Sequence, residues 1–209
     1  MQLTLVGTVH AETGLATSNE LLKILERLKP EVIFAEIPPS YIEQYCDGSH
    51  GTLESVAVAR YQEGHHITVI PVDLEKPEDA FFSDAQEMFD KVERTSHYYR
   101  RLMDQHSLDT RTGGFPYLNS DRCIQAWVDI HGEVQATLDW IGNPLLHKIY
   151  SRWCMQNELR DTGMVAKVVD YADRNGQVHG VFLFGAAHMK FILEKTRIQF
   201  GDDVSLKLG

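Results

Sequence analysis

Cysteine is scarce in this chain. Cys46, Cys123 and Cys154 are odd in number, far apart, and none belongs to a C-x-x-C pair. Such a set excludes a disulfide framework and fits reduced thiols in a cytoplasmic protein. Positive charge is also short, since 20 Lys and Arg against 30 Asp and Glu leave a net charge of −10. Phosphate backbones and anionic lipid surfaces attract basic proteins, so nucleic-acid and membrane-surface partners are disfavoured. No apolar run approaches the ~20 residues of a membrane span. Met1-Gln2 leads directly into an apolar strand, which leaves no signal peptide to expect. Tandem repeats and low-complexity segments are missing as well. The chain has no P-loop, no G-x-G-x-x-G, no G-x-S-x-G and no H-E-x-x-H.

What is present is ordinary in bulk. A hydrophobic content of 43% and a charged content of 24% over 209 residues suit one globular domain with a substantial core. Two stretches organise it. Leu3-Thr4-Leu5-Val6 runs into Gly7-Thr8-Val9-His10, and Val181-Phe182-Leu183-Phe184 runs into Gly185-Ala186-Ala187-His188. Each is a short apolar run bounded by Gly, as a buried parallel strand is. Each puts a histidine just past the strand, at the carboxyl edge where open α/β sheets hold ligands.

Between them the pattern alternates. Thr17 and Glu20 have capping-box spacing, Leu21, Leu22, Leu25 and Leu28 form a helical stripe, and Pro30 ends it. Glu31 to Ile37 reads as a second strand and makes a parallel βαβ unit with the first. Tyr41 to Gly64 reads as a looser region, helical over Leu53 to Tyr61. Ile67 to Asp73 is a third strand, which Pro71 ends or confines to an edge. Glu36 and Asp73 are both acids at strand ends.

The period then becomes helical. Phe81, Ala85, Met88, Val92, Tyr99 and Leu102 predict one long helix. Ser107 to Ser120, with Gly113-Gly114 and Pro116, predicts a loop. A second long helix starts near Asp121, with Ile124, Trp127, Val134, Leu138 and Ile141 on one face. A third is capped by Asn143-Pro144 and ends at Asn175-Gly176. A short helix from Met189 to Thr196 and an alternating edge strand, Val204 to Leu208, close the chain. The expected fold is α/β, a mainly parallel central sheet with an inserted helical subdomain over about residues 78–173.

The third long helix carries a polar patch in an apolar stripe. Leu146, Ile149, Trp153, Met164, Val168 and Ala172 share a face with Asn157, Arg160 and Asp161. A buried arginine and aspartate are costly unless paired. One reading is an internal Arg160–Asp161 structural pair. The other is a polar pocket at the sheet edge, with Arg160 presenting its fork of donors to a carboxylate, phosphate or oxyanion.

Ten histidines are present. His50, His65, His66, His97, His106, His131, His147 and His179 have no partner pattern and read as surface or capping residues. Neighbours on a strand point to opposite faces, so His65-His66 makes a poor metal pair. His10, His188 and Glu36 stand out at three strand ends. Two imidazoles and a carboxylate suit a divalent metal with open positions. They equally suit a metal-free general base with its orienting acid.

These residues in this order resemble the Tiki/TraB superfamily: Gly7-Thr8-Val9-His10, Glu36 after an apolar strand, Asn157-Glu158-Leu159-Arg160-Asp161 followed by Met164, then Gly185-Ala186-Ala187-His188. That group takes in TraB, the Tiki proteases, GumN-like proteins and, more distantly, erythromycin esterases and the haem-binding ChaN. The resemblance spans nearly the whole chain. It implies one α/β domain over residues 1–209 with inserted helices. It implies a pocket with His10, Glu36, Arg160, Asp161 and His188 as catalytic residues, and Asp73, Asn157 and Glu158 as ligand-binding ones. His10, Glu36 and His188 would be the ligands of a divalent metal such as Mn²⁺, Co²⁺ or Zn²⁺. The implied activity is hydrolysis of an amide or ester bond in a peptide or small molecule. The alternative is a non-catalytic protein that binds haem or another anionic small molecule. Unlike Tiki and TraB, this chain shows no membrane anchor. The 107–120 segment would either cover the site or pack a second subunit in a homodimer.

Overall fold

The computed structural model describes residues 1–176 and 178–205. The strands are β1 (Gln2–Thr8), β2 (Val32–Ala35), β3 (Thr68–Pro71), β4 (His179–Gly185) and β5 (Val204–Ser205). They form one sheet in the order β3-β2-β4-β1-β5, and every pairing in it is parallel. The fold is α/β. Strand β4 lies between β1 and β2, so the first βαβ unit skips a place that this later strand fills. That insertion sets Thr8 directly opposite Gly185 and brings both Gly-x-x-His segments to one edge.

Alternation along the strands divides the core in two. Val6, Ile33, Ala35, Val181 and Leu183 face one side, while Leu3, Leu5, Val32, Phe34, Phe182 and Phe184 face the other. The first side is covered by α1 (Ser18–Leu28) and α3 (Leu53–Gly64), and the second by α7 (Pro144–Asn175) and α8 (Met189–Phe200). Burying both faces is why these strands read as continuous apolar runs. Thr17 caps α1, Thr52 caps α3 and Asn143 caps α7, each by accepting from a backbone N–H of the first turn. A short helix, α2 (Ile42–Cys46), lies within the stretch that reads as loose in sequence.

Between β3 and β4 run α4 (Asp79–Thr95), α5 (His97–Leu118), α6 (Asp121–Ile141) and α7. They share a core of their own, built on Met88, Val92, Tyr99, Ile130, Val134, Leu138 and Tyr150. Two expectations are corrected here. The helix through Phe81 and Leu102 is two helices, broken at Ser96, whose hydroxyl accepts from Tyr99 N and caps α5. The Ser107–Ser120 loop is instead the second half of α5. Gly114 kinks it with φ 55°, a left-handed backbone that glycine tolerates. Leu15 N donates to Arg111 O beside the kink, so this segment packs on the turn after β1.

Strand β5 is at the sheet edge, as the alternation predicts; Leu206 to Leu208 lie outside the described residues. Strand β3 both ends at Pro71 and forms the opposite edge.

Candidate active site

The first motif glycine is needed for close approach. A Cβ at Gly7 would meet Met189 Cε at 2.8 Å and Leu118 O at 3.2 Å. In that space Asn119 clamps the strand end, its Oδ1 accepting from Gly7 N at 2.7 Å and its Nδ2 donating to Gly7 O at 3.0 Å. The second motif turns sharply. Gly185 ends β4, and Ala186–His188 forms a single 3-10 turn that leads into α8. That turn folds His188 back over the sheet edge.

Glu36 is the hub of the site. Its Oε2 accepts from Gly185 N at 2.7 Å, its Oε1 accepts from Arg160 Nη2 at 2.6 Å, and the same oxygen lies 3.4 Å from His188 Nε2. Asp73 holds Arg160 bidentately, Oδ1 accepting from Nε at 3.0 Å and Oδ2 from Nη2 at 2.8 Å. Asn157 Oδ1 accepts from Arg160 Nη1 at 3.3 Å, and Lys167 Nζ donates to Asp73 O at 2.7 Å. His188 Nδ1 is 2.7 Å from Asp161 Oδ1, close enough for an ion pair but off the line of a hydrogen bond. The internal Arg160–Asp161 pair is therefore replaced by a different arrangement: Arg160 pairs across the fold with Asp73 and Glu36, and Asp161 pairs with His188. The guanidinium keeps only one Nη1 N–H for anything else.

Charges follow the geometry. Burial opposes the His188 cation, but the Glu36 and Asp161 carboxylates outweigh it and hold its pKa above the ordinary imidazole value. Burial likewise opposes the Arg160 charge, and the hydrogen bonds to Asp73 with the Glu36 carboxylate raise its pKa further.

His10 belongs to a second, smaller constellation. Its Nδ1 lies 3.2 Å from Glu54 Oε1, and Thr8 Oγ1 donates to that oxygen at 2.5 Å. The Glu54 hydrogen bond raises the pKa of His10. Burial would raise that of Glu54, but the bond and charge of His10 keep it low. The imidazole itself is 65% exposed. A cavity of about 40 Å³ lies against His10, Glu36, His50 and Glu54, so Glu36 borders both constellations. Glu54 is not legible in the sequence as a site residue. It sits in the first turn of α3, whose Leu53 N donates to His10 O at 2.8 Å. The signal it offers is one acid beside the apolar run Val56 to Ala59 at the head of the helix.

A cavity of about 320 Å³ opens on the other side of His188. α6 lines it with Ile124, Trp127, Val128 and His131, spaced as one helical face. α7 lines it with Tyr150, Trp153, Cys154, Asn157, Glu158 and Asp161. His131 is thus part of a cavity wall and not a surface histidine; burial, with the nearby His188 charge, lowers its pKa. His106 and His179 are likewise only partly exposed, the first bonded to Tyr117 OH at 2.8 Å and the second to Thr4 Oγ1 at 3.1 Å.

Of the expected site residues, Glu36, Asp73, Asn157, Arg160, Asp161 and His188 form one connected network. Glu158 stands exposed at the cavity rim. Of the expected metal ligands, Glu36 and His188 are 3.4 Å apart, a separation that suits two ligands at about 2.0–2.2 Å from one ion. Asp161 behind the other ring nitrogen is the partner a ligating histidine commonly has. His10 turns to Glu54 instead. Among the described residues no three His, Cys, Asp or Glu side chains are gathered as a metal cluster, and no helix is long and apolar enough to cross a membrane.

Comparison with protein-family models, curated proteins and solved structures finds no match for this chain.

Proposed function

We propose that the protein is a hydrolase of the Tiki/TraB type, acting on an amide or ester bond. One observation carries this reading: His188 is held between Asp161 and Glu36 at the wall of a cavity. A carboxylate on each side fixes the ring and its charge, and a pKa raised toward working pH is what a proton carrier needs. His188 takes the proton of the attacking water, with Glu36 beside Nε2 to stabilise the imidazolium. The remaining Nη1 N–H of Arg160 is the donor available to a developing oxyanion. His10, backed by Glu54 and open to solvent, is placed to protonate the leaving group.

A divalent ion, Mn²⁺, Co²⁺ or Zn²⁺, would be held by Glu36 and His188, with His10 a third ligand only once its ring leaves Glu54, and when bound it would supply a water of lowered pKa. A cytoplasmic setting, in which the three cysteines stay reduced, goes with this reading. The test is a screen of peptides and small esters with each metal added or chelated. The expected result is turnover that His10→Ala and His188→Ala each abolish; its absence in every condition ends the proposal.

A second reading is favoured by one feature of the cavity: His131 and His188 both line it. Haem or another anionic small molecule held there without chemistry would show a saturable Soret shift on haem titration. A flat titration removes the haem version.

A further inference from the structure

We infer that the cavity beside His188, walled by α6 and α7, is the subsite for an aromatic group carried one or two bonds from the scissile carbonyl. The inference rests on the hydrolase reading and adds the substrate class to it.

The volume, about 320 Å³, lies at the small end of the roughly 300–1,000 Å³ of small-molecule sites. That is room for one ring system on a short linker. The walls are rings. Trp153 lies 6.2 Å from Tyr150 with planes 9° apart, and 5.4 Å from His131. Trp127 lies 6.0 Å from His131. An incoming ring therefore meets faces and edges of other rings, the contacts aromatic groups favour over aliphatic ones. Ala186 and Ala187 also line it, small residues that leave the space beside His188 unfilled. Polar groups also line it: His188 and Asp161 of the paired network, with His131, Asn157, Glu158 and Lys190. A ring placed here sets the bond next to it against His188, as an orienting anchor does. The rim carries two apolar side chains, Val128 at 37% and Phe191 at 46% exposed, beside the exposed Glu158 and Lys190.

The test measures binding and does not need turnover. N-acetyl-phenylalaninamide and N-acetyl-alaninamide are titrated separately while the indole N–H signals of Trp127 and Trp153 are followed by NMR. The expected result is saturable movement of both signals, with the phenylalanine compound bound at least about tenfold more tightly. Val128→Trp, at an exposed rim position that does not threaten the core, fills the cavity and removes the preference. Equal binding of the two compounds, or a preference that survives in Val128→Trp, overturns the inference. Turnover of N-acetyl-phenylalanine esters that Val128→Trp leaves untouched keeps the hydrolase reading and sinks the aromatic subsite. Ring-selective binding in a protein that hydrolyses nothing keeps the ligand class and sinks the hydrolase reading.

Discussion

The two Gly-x-x-His segments begin alike and end in opposite circumstances. They close neighbouring parallel strands, offset by one residue, at the same sheet edge. After β1 the chain runs on outward, and His10 is left 65% exposed with one carboxylate partner. After β4 it turns at once into a 3-10 turn, and His188 is left 14% exposed between two carboxylates. The motif fixes where each backbone arrives. The path of the chain beyond the strand decides whether the imidazole is solvated or held. The His188 side is also braced by a cross-fold strut, Arg160 on Asp73 and Glu36, that the His10 side lacks.

The sharpest way to separate the two sides is to neutralise the carboxylate behind each ring. Asp161→Asn removes the charge that stabilises a buried imidazolium, and turnover should fall about 10²–10⁴-fold, the usual worth of a positioned acid–base group. Glu54→Gln keeps an acceptor but removes the charge beside an exposed ring and should cost roughly tenfold, the difference between a charged and a neutral hydrogen-bond partner. Equal losses in kcat/KM would show that exposure does not distinguish the two.

Stability should divide the same way. Asp73→Ala leaves the Arg160 guanidinium without its bidentate partner. Breaking one side of a buried pair costs about 3–5 kcal/mol, read as a shift in the urea midpoint. Arg160→Met with Asp73→Leu removes both charges but takes the guanidinium from buried Glu36 as well, so it should recover only part of that loss. On the other side, Glu54→Ala leaves Thr8 Oγ1 still donating to Phe184 O and His10 in water. About 1–3 kcal/mol is expected there. An Asp73→Ala protein as stable as the parent would show that the strut contributes nothing.

The strut also marks the limit of what is legible in the sequence. Apolar runs with Gly-x-x-His, the acids Glu36 and Asp73 at strand ends, and Arg160 on an apolar helical face are local patterns, and each lies where its period puts it. Who pairs with whom is not local. Asp161 is the next residue after Arg160, yet successive positions on a helix point about 100° apart, so each finds a partner on a different element. Glu54 carries no periodic signal, because helix α3 is buried on most of its surface and an acid in its first turn also reads as an ordinary dipole partner. The Gly113-Gly114-Pro116 segment misleads for a related reason. Its breakers act as a kink inside a helix that packing against the β1 turn holds together.

A smaller effect is pH-dependent stability. Both imidazoles have folded pKa values above the ordinary 6.5. Each therefore stabilises the fold fully below that value and loses its contribution as pH rises through the raised one. With chelator present, the melting temperature should fall as pH rises from the ordinary imidazole value through the raised ones. His188→Gln should flatten that fall. His10→Gln should change it little, because solvent screens an exposed pair. Glu54, whose pKa is lowered, acts at the other end: its contribution is present above the ordinary carboxylate value and is lost on acidification through the folded one. An unchanged slope in His188→Gln would mean that its two carboxylate contacts are not formed in solution.

The smallest effect is also the most selective, and it concerns His10 alone. Its raised pKa comes first from the Glu54 hydrogen bond, helped by the charge on the same residue and opposed by partial burial. Glu54→Gln keeps the shape and removes the charge, so the balance should tip and the titration midpoint should move down toward the ordinary value. His188 answers to Glu36 and Asp161 and should not move. Tracking the Cε1–H signals of both rings through a pH titration, in parent and variant, reads the two sides in one experiment. A midpoint for His10 that stays in place would show that Glu54 is a structural acid capping α3 and not the partner of the ring. Movement of both would show that the constellations, which share Glu36 as a border, titrate as one.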